Sequence, residues 1–296
     1  MRKRLFSVWL AFLLTSGSIF AQDLMDMLGE NEAPVVDYTR GTFKTTRIVI
    51  GQSIETPPKG NMIFIVTHHF GKLNSGYENL FGLNQAYIRL GVEYGITDWL
   101  GIGLGINTYK ITWDGFLKAR ILRQSTGARR MPLSMNLFAS MAVKTNKWDD
   151  PDRTNYASSR FSYAFQLQIA RKFGKWVSLQ LMPELVHKNL VKSAKDKNDI
   201  FALGAGGRVK VSNRVSINAE YHYVFPGQIH EKVYGSFSFG IDIETGGHVF
   251  QIFLTNSIGE IEEYFIPETT GSWLNGDIFL GFNITRIFTI VKPKLP

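Results

Sequence analysis

The chain has 296 residues, of which 44% are hydrophobic and 20% charged, with a formal net charge of +8 and no cysteine. The missing cysteine excludes a disulfide scaffold, cysteine-ligated zinc, iron–sulfur clusters and thiol catalysis. After residue 21 no apolar run approaches the roughly 18 residues that a spanning helix needs, so a helical membrane protein is excluded too. The abundance of Gly (28), Phe (22) and Tyr (11) leans towards β-rich structure.

Residues 1–21 read as a secretory signal peptide: Arg2, Lys3 and Arg4 precede an apolar stretch from Leu5 to Leu14, and small residues then lead to Ala21. Cleavage after Ala21 lowers the formal charge from +8 to +5, because the segment carries three basic residues and no acid. The mature chain shows no dense Lys/Arg stripe, so no nucleic-acid partner is expected. Residues 22–58 are acidic at the start and punctuated by Pro34, Pro57 and Pro58. They are expected to form an N-terminal periplasmic extension or plug segment. Within it Thr42–Ile50 suits either a strand or a segment tucked inside whatever follows.

Residues 59–296 read as repeated period-two alternation, the pattern of half-buried strands. Twelve strands are expected at roughly 60–71, 85–96, 99–109, 114–124, 131–146, 158–173, 176–189, 199–211, 214–225, 235–244, 247–257 and 275–290. In the stretch from Phe161 to Ala170, for example, Phe161, Tyr163, Phe165, Leu167 and Ile169 oppose Ser162, Ala164, Gln166, Gln168 and Ala170. The connections alternate. Short turns at Thr97-Asp98, Gly174-Lys175, Ser212-Asn213 and Thr245-Gly246, and one near Ser125–Arg130, separate longer loops such as 72–84, 147–157, 190–198, 226–234 and 258–274. The fold class expected is therefore all-β: a closed antiparallel transmembrane barrel with short periplasmic turns and longer external loops.

A soluble sandwich also alternates, with its apolar face inward. Three features favour a membrane barrel: twelve long strands, a non-apolar face rich in Gly, Ser, Asn and Gln, and aromatic residues near strand ends (Tyr94, Trp99, Trp113, Trp176, Tyr221 and Trp273). Leu280, Phe282 and Ile284 are expected to face lipid, and Asn283 a lumen tolerant of charge. Clustered glycines (Gly101, Gly103 and Gly105; Gly204, Gly206 and Gly207) leave interior room.

The stretches TFKTTRIVIGQSIE (Thr42–Glu55), HHFGKLNSG (His68–Gly76), YGITDWLGIGLG (Tyr94–Gly105), DGFLKARILRQSTG (Asp114–Gly127), KWDDPDRTNYASSR (Lys147–Arg160), DIETGGHVFQIFLTNS (Asp242–Ser257) and NGDIFLGFNITRIF (Asn275–Phe288) resemble an outer-membrane β-barrel family of Bacteroidetes-type bacteria, domain of unknown function 5777. The resemblance spans about Thr42–Phe288. It implies a barrel in the cell outer membrane, with no activity or catalytic residue to transfer.

The candidate functional feature is the set of polar residues expected to face the lumen: Arg89, Glu93, Lys118, Arg120, Gln166, Gln168, Gln180, Glu184, Arg208, Asn218, Glu220, His222, Asp242 and Gln251. These side chains either pair across the barrel and fill it, or line water and select solutes. No cofactor is expected. His68 and His69 point to opposite faces of one strand, so they cannot share a metal without a bulge. The Asp149, Asp150 and Asp152 carboxylates suit calcium or a solvated acidic turn. The partners expected are outer-membrane lipid, a small solute in the lumen, and a periplasmic protein. A non-catalytic channel or solute-binding transport barrel is the leading reading. The alternatives are a lipid-acting enzyme, with His187 and Ser159 or Ser193 as its loose candidates, and a structural or docking barrel.

Overall fold

The fold is taken from a computed structural model that describes residues 35–148 and 150–292. The segment read as a signal peptide and the Asp149 carboxylate lie outside the described residues. Fourteen strands occur in chain order among these residues: β1 (Val36–Tyr38), β2 (Asn61–Lys72), β3 (Ala86–Gly95), β4 (Leu100–Asn107), β5 (Thr112–Leu122), β6 (Ser125–Gly127), β7 (Ser134–Lys144), β8 (Phe161–Phe173), β9 (Val177–Lys188), β10 (Asp199–Lys210), β11 (Val215–Val224), β12 (Ser236–Thr245), β13 (His248–Thr255) and β14 (Phe279–Thr289). Two of them, β1 and β6, pair with each other in a separate antiparallel sheet. That sheet was not anticipated: one of its strands lies in the expected short turn near Ser125–Arg130, and three residues are too few to show a period.

The other twelve strands form one closed barrel in which every neighbour pair is antiparallel. Each corresponds to one of the twelve expected from the sequence. The seam is β14 on β2, running from Thr289 opposite Asn61 to Phe279 opposite Lys72. Closure removes the unpaired edges that a bilayer would not tolerate. Barrel strands run from 8 to 13 residues, around the 9–11 or so that cross a bilayer when tilted.

The two faces separate as the alternation requires. Outward residues are apolar and exposed, among them Leu104, Leu117, Leu137, Phe165, Leu181, Phe201, Ile241 and Ile252. Inward residues are buried, and many are polar, as Gln166, Gln168, Asn218, Ser238 and Asn283 show. Burying these polar groups against lipid would be prohibitive, whereas facing one another they find partners. Phe116, Phe138, Met182 and Phe253 also point inward and are buried. They exceed what a water-filled lumen needs, and they mark where other segments pack.

Two segments supply that packing. Residues 39–58 lie within the barrel from the short-turn end, and Ile48, Val49 and Ile50 are at most 3% exposed. Of the two fates open to Thr42–Ile50, no strand forms; an isolated bridge between Arg47 and Gln52 is its only pairing of that kind among the described residues. Within the loop 258–274, expected to be external, residues 258–272 instead turn inward from the long-loop end. They carry one helical turn, α1 (Glu262–Phe265), all four residues of which are buried. Ile261, Tyr264, Phe265 and Ile266 give this loop an apolar side that water would penalise. Ile48, Val49 and Ile50 share one apolar cluster with Phe265 and Ile266.

Asn283 needs revision for the same reason. Its lumen is filled, and its Nδ2 donates to the Val49 carbonyl at 2.8 Å, so arginine would be costly there as well. The informative comparison is between a lipid-facing strand residue and an exposed loop residue. Phe282→Arg should cost about 2–4 kcal/mol near the midplane, whereas Leu274→Arg, at a position 98% exposed, should leave urea unfolding in liposomes unchanged. Equal costs would mean that the outward face does not meet lipid.

Candidate functional site in the filled barrel interior

Residues 39–58 double back on themselves. The Ile48 N–H donates to Gly51 O at 2.8 Å and the Ser53 N–H to Thr46 O at 2.9 Å, closing a narrow reversal with Val49 and Ile50 at its tip. At its base Glu55 Oε1 accepts the Thr42 and Phe43 N–H groups at 2.7 and 3.2 Å. Pro57 and Pro58 end the segment, and without N–H groups they make no demand for donors' partners. They pass so close to the wall that a Cβ on Gly95 would lie 2.2 Å from the Pro58 carbonyl oxygen. On Gly206 it would lie 2.6 Å from Ile48 Cδ1.

The wall has used its own backbone groups in the sheet, so its side chains must satisfy the inserted backbone. Glu220 accepts three successive N–H groups, from Val49, Ile50 and Gly51, at 3.2, 2.8 and 2.9 Å. Gln251 donates to Ile48 O at 2.7 Å, Gln180 to Gln52 O at 2.8 Å and Asn136 to Ile54 O at 2.8 Å. Lys118 Nζ donates to Ser53 O and Glu55 O at 3.0 and 3.2 Å. Arg208 donates to Gly41 O and Thr42 O at 2.9 and 3.0 Å, and Arg120 donates to Thr56 Oγ1 and to Asp98 O.

Most of the remaining polar side chains named from the sequence pair within the wall or with the insert's side chains. Arg89 bonds Asp114 through Nε at 3.0 Å and through Nη2. Glu93 lies 2.9 Å from the Arg47 guanidinium, a buried charge contact. Glu184 accepts from Gln166 at 2.8 Å and faces His222 Nδ1 at 3.0 Å. Gln168 donates to Gln166 at 3.1 Å, and Asp242 accepts from Gln251 at 2.6 Å. Asn218 is buried on the same face. All these residues lie on the inward face, with Arg120 partly exposed. A residue type and a face were enough to name them; that their common object is the insert's backbone was not legible locally.

Sequence reasoning missed the residues of the inserted segments themselves. Arg47 and Glu55 organise the first. In the second, Ser140 Oγ donates to Glu263 at 2.6 Å, Tyr264 OH shares a 2.7 Å bond with Thr112 Oγ1, and Phe265 packs edge-on to His222 at 4.8 Å between ring centroids. Glu268 latches the loop to the rim by pairing with both Lys110 and Lys188. Burial alone would raise the Glu268 carboxyl, but the two lysines outweigh it and hold the group down at about 2. Its share in seating the loop is therefore present above the ordinary carboxylate range and is lost as pH falls towards 2. The signal for this loop was its run of apolar residues within a stretch otherwise read as external.

The hydrogen bonds of His187 go to residues other than Ser159 and Ser193. Its Nδ1 faces Asp199 at 2.7 Å and its Nε2 faces Asn189 at 3.1 Å, so both ring nitrogens are engaged. His69 is buried inward and His68 stacks on Phe282 outward, at 4.9 Å. Asp150 Oδ1 accepts the Asp152 N–H at 3.2 Å, the geometry of an ordinary polar turn.

A family model described as a membrane bound beta barrel domain (DUF5777) matches residues 43–288, and the chain belongs to this family. It is thus an outer-membrane β-barrel, the setting in which closed barrels of this kind span a bilayer. No curated protein matches the sequence. Among solved structures the chain is similar to the NanC porin, at 8% identity and a TM-score of 0.48, over 78% of this chain and 100% of that one. It is also similar to the outer membrane protein Omp33 of Acinetobacter baumannii, at 8% identity and a TM-score of 0.43, over 78% and 99%. LpxR from Salmonella typhimurium aligns at 12% identity and a TM-score of 0.35, over 77% and 99%.

Glu220 is the wall residue on which the tip depends most. Glu220→Ala leaves three buried N–H groups without their acceptor, at about 1–3 kcal/mol for each group left unpaired. The amides of Val49, Ile50 and Gly51 should then exchange with deuterium at least tenfold faster while the barrel strands keep their protection. Unchanged exchange at these amides would show that Glu220 does not hold the tip.

Proposed function

We propose that the protein is a gated, non-catalytic transport barrel of the outer membrane, closed in the arrangement described above. The observation that carries this reading is the manner in which residues 39–58 are held. The insert joins no barrel ladder; side-chain hydrogen bonds and a small apolar cluster retain it. Such contacts are individually worth about 0.5–1.5 kcal/mol, or about 1.5–3 kcal/mol where Glu220, Lys118 or Arg208 takes part, and are exchangeable for water, so the segment is able to leave without unpairing the barrel. Behind it the wall is polar and suited to line an aqueous path.

Short turns stay on the side from which a barrel inserts, because long polar loops are the parts that cross. In this reading residues 39–58 enter from the periplasm, and the chain before them reaches a periplasmic partner able to draw the segment out. Loop 258–274 closes the external mouth independently. A docking barrel without transport is the competing reading, and it is favoured by the same continuity between the insert and the preceding chain. His187 Nε2, the nitrogen that a serine nucleophile would need, faces Asn189 at 3.1 Å, which disfavours a serine-based lipid enzyme.

Planar-bilayer recording separates these readings. The intact protein should pass little current. Deleting residues 42–56 together with 259–270 should raise conductance roughly tenfold or more as water replaces the packed interior. Deletion of either segment alone should give less. If the doubly deleted barrel keeps its circular dichroism and conducts no better than the intact chain, the transport reading is wrong and the docking reading stands.

A further inference from the structure

The long-loop mouth holds a second feature, of which the packed interior uses only the Glu268 latch. A cavity of about 510 Å³ opens there between the loops after β7 and β9. Its lining includes six cationic side chains: Lys110, Lys144, Lys147, Arg153, Arg160 and Lys192. No described carboxylate lines it. A smaller neighbouring cavity shares Lys144 and Lys192 and adds Lys188 and Lys197, against Asp196, Glu231 and Glu268. The two together hold eight cations and three carboxylates. Two of those acids are committed: Glu268 is shared between Lys110 and Lys188, and Glu231 pairs with Lys192.

The geometry is that of a built recognition site. Arg160 is fixed twice over. One guanidinium nitrogen donates to the Lys144 and Asn146 carbonyls, at 2.9 and 2.8 Å, and the group lies over the Trp148 ring at 3.9 Å. That leaves Nε and the other terminal nitrogen, the two-pronged edge that matches an oxyanion. Lys110 and Lys144 sit above the Tyr264 ring, at 4.8 and 5.9 Å. Like charges gathered around one cavity repel one another, and a multivalent anion relieves that cost at several contacts at once.

We infer that this mouth binds a soluble solute carrying a multivalent oxyanion, of the phosphate or polycarboxylate type. A lipid headgroup has the same chemistry, but Lys144 and Lys188 follow the inward register of β7 and β9, so the site opens into the barrel mouth and not onto its lipid-facing wall. The inner mouth repeats the bias. A cavity of about 360 Å³ there is lined by Lys44, Lys172, Lys175, Arg208 and Lys210 with one acid, Glu244. The inference concerns binding at the closed mouth and deepens the transport reading by naming a solute class. Binding is measured without opening the barrel, so either reading is able to fail alone.

The test is calorimetry on the full-length folded barrel in neutral detergent, with inorganic pyrophosphate as the probe. Binding should be detectable at low salt, weaken steeply as salt screens the cluster, and fall at least tenfold in the double variant Lys147→Glu/Arg153→Glu. Both residues are exposed loop positions, and circular dichroism and heat-modified gel mobility check that the variant is folded. A milder pair, Lys147→Gln/Arg153→Gln, should give an intermediate loss. Micelles doped with phosphatidic acid separate the two sources: unchanged pyrophosphate affinity supports the soluble solute, and competitive weakening assigns the site to a lipid headgroup and overturns that choice. Absence of binding at low salt, or affinity indifferent to both variants, would overturn the site itself.

Discussion

A closed sheet spends every backbone donor and acceptor of its strands on its neighbours, and this one condition governs everything placed inside the barrel. A segment drawn into such a space loses water and finds no free ladder to join. Its N–H and C=O groups must be met by side chains. In this protein Glu220, Gln251, Asn283, Gln180, Asn136, Lys118 and Arg208 meet them one by one along residues 41–55. The polar composition of the inward face thus follows from the presence of the insert as much as from any path for solute.

The same economy explains the mixture of charge and aromatic residues inside. Buried ions persist when each has a partner, as Arg89 has in Asp114 and Arg47 in Glu93. Where the inserted segments present Ile48, Val49, Phe265 and Ile266, the interior answers with Met182, Phe253 and Val186 in one apolar cluster. Polar bonds fix the register of the insert, and apolar burial supplies a non-directional hold. Neither requires the barrel ladder to break for the insert to move.

Much of the architecture was legible in the sequence because a bilayer imposes two simple constraints: strands of sufficient length and strict alternation of faces. The stretch Phe161–Ala170 shows its two faces without any knowledge of its neighbours, and so do Ser236–Ile243 and Leu280–Ile284. The insert was legible only as a choice. TFKTTRIVI is apolar and β-prone, and nothing local decides between pairing and burial. Its partners are spread over the chain; Gln180 lies 128 residues from Gln52 and Asn283 lies 234 from Val49. Loop 258–274 was judged external on length alone, although Ile261, Tyr264, Phe265 and Ile266 carried the contrary signal. The cationic mouth escaped notice because Lys110, Lys144, Arg160 and Lys192 come from four different connections or strand ends, with no density in any one stretch.

The central claim is that residues 39–58 occupy the barrel interior in the folded protein. The chain has no cysteine, so a single Val49→Cys substitution reports directly on the tip, which is 0% exposed. The measurement is the rate of reaction with a small charged thiol reagent for the folded barrel in detergent, set against the urea-unfolded chain. The account predicts a thiol protected by a hundredfold or more in the folded state, with full reactivity on unfolding. A thiol that reacts as fast in the folded barrel as in the unfolded chain would contradict it.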